Sequence, residues 1–179
     1  MRLVNRIIEG FEDIVVALGL CIATIAAFAE VVARFVFNTS TGAGGELTNY
    51  PIIWAAMVGA AVAARSGVHI GVDIVVKQMS PTLAKITVLA GLLVSAGFTL
   101  IVTWLGIELV QFSYGTQQVT MELLWPRWIL FLSVPVGMGL MTYHLLQEFA
   151  RRLRQPSESF LLDVTESDVS ELTDQHAGA

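Results

Sequence analysis

Glu30 is the one ionisable residue set deep inside an apolar run, and Arg34 stands four residues further on. An acid followed by a base at i, i+4 is the favourable order for pairing along a helix. An isolated charge at mid-bilayer costs roughly 2.5–3.5 kcal/mol on insertion scales, so Glu30 needs Arg34 or another partner. Two readings stand: a self-neutralising pair facing other helices, or a proton site or partner contact. The histidines allow a second chemistry. His69 and His144 fall near the same membrane side, which would permit a bis-histidine haem. A haem normally binds within a bundle, however, and His69 lies in a glycine-flanked segment, so histidines that bond locally or face water fit better. Clustered metal ligands, a Ser-His-Asp order and an HExxH pair are all missing from the sequence. Gly42, Gly44 and Gly45 lack the strand and helix context of a phosphate loop. Cys21, the single cysteine, can form no intrachain disulfide. The expectation is therefore a chain with no catalytic, metal or cofactor-binding residues.

The elements that would carry these residues are membrane helices. The chain has 179 residues, 55% hydrophobic and 14% charged. Soluble domains carry about 25% charged residues. Charge-poor runs of near-membrane length occur at about 14–37, 47–65, 86–107 and 128–147. The fold class expected is all-α and integral to the membrane: one domain, 1–154, of four transmembrane helices. The acids Glu9, Glu12 and Asp13 precede the first run, which is longer than a secretory core, so a retained helix is expected. An acidic flexible cytoplasmic tail, 155–179, holds six acids and no Lys or Arg. Without it the net charge of −5 becomes 10 basic against 9 acidic residues, with no basic surface for nucleic acid.

The second run is the organising one. Glu46 precedes it, and the apolar stretch from Leu47 to Ala64 is 18 residues, about 27 Å of helix. Pro51 is expected in its first turn, where a missing N–H costs little. Small residues recur every four positions, as Ala55, Gly59, Ala63 and Ala56, Ala60, Ala64. Such ridges let another helix approach closely in lipid. The run leaves through Arg65, His69 and Asp73, and 71–80 could be a piece lying in the interface. Pro135, near the middle of the fourth run, predicts a kink eased by Gly137 and Gly139.

If four helices alternate, Arg2, Arg6, Arg65, Lys77, Lys85, Arg151, Arg152 and Arg154 share one side. The loops 38–46 and 108–125 contain no Lys or Arg. The positive-inside rule puts both termini in the cytoplasm. Trp54, Trp104, Trp125 and Trp128 fall toward the outer face, as an aromatic belt would. Arg34 and Arg127 also lie there, where an acidic partner or membrane lipid could meet them.

The sequence Arg34-Phe35-Val36-Phe37-Asn38, then Glu46, Trp54, Gly59-Ala60, Arg65 and a His-Ile-Gly-Val-Asp exit, then Gly115 to Pro135, resembles the small permease subunit of tripartite ATP-independent periplasmic (TRAP) transporters. The resemblance spans roughly residues 10 to 150. It implies a partner large permease carrying the substrate and sodium sites, and a periplasmic substrate-binding protein. It also implies a bacterial inner-membrane location and transport of organic acids such as C4-dicarboxylates or sugar acids. The small subunit would be a scaffold, needing no cofactor itself. Around the second helix, Glu46, Trp54, Arg65, His69 and Asp73 match the family pattern; Arg34 and Asn38 match the first-helix exit; Gly115, Pro126, Trp128 and Pro135 match the later part. Packing, interface and anchoring roles are expected for these, as for Glu30 and Gly59. A self-contained proton-coupled antiporter of four helices is the alternative, and a haem-binding anchor a further one.

Overall fold

The computed structural model describes residues 2–40, 42–65 and 81–154. Every apolar run is helical, and three of the four helices extend well beyond the apolar stretch that nucleates them. Helix α1 is Arg2–Val36, α2 is Gly44–Arg65 and α3 is Pro81–Gly115; α4 (Trp128–Phe131) and α5 (Ser133–Arg154) form the fourth span. Four helical segments are long and apolar enough to cross a membrane. No strand occurs among the described residues, only an isolated bridge between Val119 and Pro126. His69, Asp73, the 71–80 segment and the acidic tail lie outside the described residues.

Local chemistry explains the ends. Helix α1 stops where Asn38 adopts φ 49°, the left-handed conformation that asparagine tolerates better than most residues. The reversed chain lets the Thr39 N–H donate to the Ala33 carbonyl at 3.1 Å. Pro51 is not in the first turn of α2, because the helix begins at Gly44 and places it two turns inside. The carbonyl of Leu47, four residues earlier, consequently has no helical donor there. The fourth span does not merely kink at Pro135. It breaks at Leu132, one turn earlier, into α4 and α5. Proline has no N–H for the Phe131 carbonyl, and its ring crowds that same carbonyl. Ser133 softens the break by donating its hydroxyl to the Leu130 carbonyl at 2.7 Å.

The helices do not close into a bundle. They stand in a row, in the order α1, α2, α5, α3, so that α1 and α3 occupy opposite edges. Closest approach falls at glycines. A Cβ on Gly19 would lie 2.8 Å from the Pro51 carbonyl oxygen, and one on Gly137 would lie 2.5 Å from the Met57 carbonyl oxygen. These residues, rather than Gly59, let α1 and α5 lie against α2. A Cβ on Gly59 would meet only Val16, at 3.8 Å. The expected small-residue ridges are correspondingly uneven: Ala55, Val58 and Ala61 are buried, while Ala56 and Ala63 are exposed. Between α3 and α5 the seam is conventional. Ala84, Val88, Leu92 and Ala96, at every fourth position, pack with Leu145, Met141 and Phe149. Thr142 donates across the same seam to Thr99 at 2.8 Å. Elsewhere the row presents large apolar side chains outward, Phe28, Val94, Phe98 and Ile101 among them. Lipid accepts such faces at no cost, provided the backbone is satisfied within each helix.

Candidate functional site

The most deeply buried charge is Glu12, with no exposed surface. It was expected among the polar residues ahead of the first membrane run. Instead α1 continues through it, and the carboxylate turns toward the row. Nε2 of His144 on α5 lies 2.7 Å from one carboxylate oxygen. Nη1 of Arg65 at the end of α2 donates to the other at 3.4 Å. The same guanidinium donates through Nη2 to Asp13 at 3.1 Å. Next to this knot, Asn5 bonds the Gln147 amide and accepts from the Tyr143 hydroxyl at 3.0 Å. Three helices are thus tied at one end of the row by polar contacts. Glu30 is therefore not the only deep ionisable residue, and His144 is a buried partner of a carboxylate rather than an interfacial histidine facing water. A charge removed from water is tolerated only when paired and hydrogen-bonded, and Glu12 meets both conditions.

At the opposite end, Glu46 organises the loop between α3 and α4. Its carboxylate accepts three successive backbone N–H groups, from Met121 at 2.8 Å and from Glu122 and Leu123 at 2.9 Å each. Glu122 returns the contact by accepting the Glu46 N–H at 3.0 Å. An ionised carboxylate is an acceptor with room for several donors, which suits a run of amides turned inward. The loop itself is a small hairpin: Thr120 donates to the Trp125 carbonyl, and Arg127 to that of Gln118, both at 2.9 Å. Gln117 and Leu124 adopt positive φ to turn it. Met121 at its tip is 87% exposed.

Glu30 and Arg34 do pair, at 3.3 Å, with Arg34 67% exposed. Glu30 also accepts from the Ser40 hydroxyl at 2.9 Å, because the chain folds back after Asn38. Its carboxylate sits against Gly44, and a side chain there would displace it. The pair therefore belongs to the junction between α1 and α2. It borders an open polar recess of about 370 Å³ shared with Asn49 and Glu122.

The remaining expected residues separate by role. Asn38 turns the chain, and Arg65 belongs to the Glu12 knot. Gly115 ends α3 with open space around it. Pro126 pairs in the loop bridge. The Trp128 ring meets Tyr114 edge-on, with centroids 6.1 Å apart. Pro135 packs on Gly106 of α3. Trp54 lines an apolar groove of about 340 Å³ with Trp125. Among the described residues no cluster of His, Cys, Asp and Glu could hold a metal ion. Sequence reasoning missed the Glu12–His144 contact, whose members are 132 positions apart. The one available hint was an acid at i−2 of an uninterrupted apolar run.

An open row of four membrane-crossing helices, tied at one end by an ion cluster and at the other by a carboxylate-clamped loop, is a multi-pass membrane protein. Residues 23–155 match the family described as tripartite ATP-independent periplasmic transporters, DctQ component, and the chain belongs to that family. It is 27% identical over 172 residues to the C4-dicarboxylate TRAP transporter small permease protein DctQ of Rhodobacter capsulatus, covering 79% of this chain and 76% of that one. The protein of the same description from Vibrio cholerae is 25% identical over 166 residues, 80% of this chain and 72% of that one. A putative TRAP transporter small permease protein of Haemophilus influenzae is 30% identical over 81 residues, 45% of this chain and 50% of that one. The chain is accordingly a TRAP small permease, multi-pass in the bacterial inner membrane.

Proposed function

We propose that this chain is the scaffold subunit of a sodium-driven, binding-protein-dependent transporter of organic acids. C4-dicarboxylates, the substrates named in the descriptions of two relatives, head the list, with sugar acids next. A large permease carries the substrate and sodium sites, and a periplasmic binding protein delivers the substrate. Both termini face the cytoplasm, as the Lys and Arg distribution argues. The observation that carries the reading is the row itself. A self-sufficient carrier needs polar groups lining a path at mid-membrane. Here the buried Glu12 and the half-buried Glu30 lie toward opposite ends of the row and are paired with neighbours, while large apolar side chains dominate the exposed faces.

The test is reconstitution. Vesicles containing this chain alone should take up no organic acid. Uptake should appear with the large permease, the binding protein and an inward sodium gradient together. Uptake by the chain alone, driven by a proton gradient, would instead establish the antiporter reading. Orientation is checked with a cysteine at Thr39 in a Cys21→Ser background. Labelling by a membrane-impermeant maleimide from the periplasm is expected, and labelling only after lysis would reverse the topology.

A further inference from the structure

The Glu12 knot draws α1 toward α5 at one end of the row. Beyond it, α1 and α4 flank α2 on either side of Tyr50, Pro51 and Trp54. The result is the apolar groove of about 340 Å³, walled by Leu18 and Ile22 of α1 and by Ile129 of α4, floored by Tyr50 and Trp54, and closed at the loop end by Trp125. We propose that this groove seats an acyl chain of an anionic phospholipid, with the lipid phosphate held by Arg127.

The lining argues for an acyl chain: the walls are aliphatic side chains, prolines and aromatic rings, and almost no polar surface faces the groove. Charge argues for a phosphate at its mouth. Arg127 follows the groove-lining Pro126 in sequence, and its guanidinium is close enough to act electrostatically on the Tyr50 hydroxyl, as Glu46 and Glu122 also do. Those two acids are already engaged by backbone N–H groups. Arg127 makes no ion pair among the described residues. An arginine fork matches phosphate oxygens. The indoles of Trp54 and Trp125 supply the amphipathic rings that suit the headgroup boundary. The groove holds its lipid whichever side of the membrane the loop faces, so this inference stands apart from the transport reading.

The indoles provide the assay. The full chain carrying Trp104→Phe and Trp128→Phe keeps only Trp54 and Trp125 as emitters. It is reconstituted in phosphatidylcholine vesicles containing rising fractions of phosphatidylglycerol brominated on its acyl chains. Quenching should saturate well below the level at which brominated lipid dominates the bilayer. Brominated phosphatidylcholine should give only a gradual, proportional loss. Arg127→Gln should raise the half-quenching fraction about fivefold, the effect expected of one basic residue near a lipid surface, with full quenching retained in excess lipid. Filling the groove with Ile22→Phe and Ile129→Phe should abolish the saturable part. Proportional quenching by both lipids would overturn the proposal, as would an unchanged half-quenching fraction in Arg127→Gln. Loss of saturable quenching when the large permease is co-reconstituted would overturn it too, showing that a protein surface covers the groove.

Discussion

Gly137→Ala and Gly139→Ala lie two residues apart on α5, and the comparison between them isolates the close approach of α5 to α2. Each exchange removes a glycine from a helix interior and so favours the helix by up to about 1 kcal/mol. Their surroundings differ. On Gly139 the new methyl would meet only Thr103, at 3.8 Å, an ordinary contact. On Gly137 it would lie 2.5 Å from the Met57 carbonyl oxygen and 2.6 Å from the carbonyl carbon. These are backbone atoms held by the α2 ladder and cannot swing away. Restoring ordinary contact from 2.5 to 3.4 Å requires the helices to separate by about 0.9 Å at that point. A gap of 0.5–1 Å forfeits roughly a quarter to a half of each dispersion contact it opens, and overpacking of this kind costs roughly 1–3 kcal/mol. Gly139→Ala should thus be neutral or stabilising, and Gly137→Ala should unfold about 1–3 kcal/mol earlier than it. Reversible unfolding in mixed micelles by titrated SDS, followed by tryptophan emission, measures the difference. Equal stability of the two variants would show that α2 and α5 do not meet at Gly137, and the row order would have to be redrawn.

Three further outcomes are expected. Glu12→Leu leaves His144 and Arg65 without their shared carboxylate; breaking a buried pair costs about 3–5 kcal/mol, and the same SDS titration should register it. Arg34→Ala, at an exposed pair, should cost no more than about 1 kcal/mol; a loss as large as that of Glu12→Leu would contradict the burial difference between the sites. Glu46→Gln should accelerate amide hydrogen exchange at Met121, Glu122 and Leu123 while leaving the α3–α5 seam protected, and unchanged exchange at those three amides would remove the clamp.

Length and hydrophobicity were enough to place the four spans, because a bilayer imposes both on any helix that crosses it. Glu46 and Pro135 could also be picked out, one as an acid ahead of a helix and the other as a proline inside one, although their effects differ from expectation. Glu46 lies inside the first turn of its helix rather than ahead of it and fastens a distant loop, and Pro135 breaks the span a turn before itself. The order of the row was not legible. In lipid every outward face is apolar, so hydrophobic periodicity does not reveal which face meets a neighbour. Gly59 and Gly137 illustrate the point: both sit among small residues, yet only Gly137 faces a backbone. Glu12 and His144 were opaque for another reason. Each taken alone reads as an end-of-helix polar residue, and only the tertiary arrangement brings them together.

The row has a mechanical consequence. Neighbouring helices interlock edge to edge, so a plank one helix thick resists sliding within its own plane. Among the described residues no second layer of helices backs its broad sides, so it flexes more readily across its thickness. The Glu12–His144–Arg65 contacts pin the row at one end and the Glu46 clamp fastens the α3–α4 loop to α2 at the other, so flexure is confined to the stretch between the two ties.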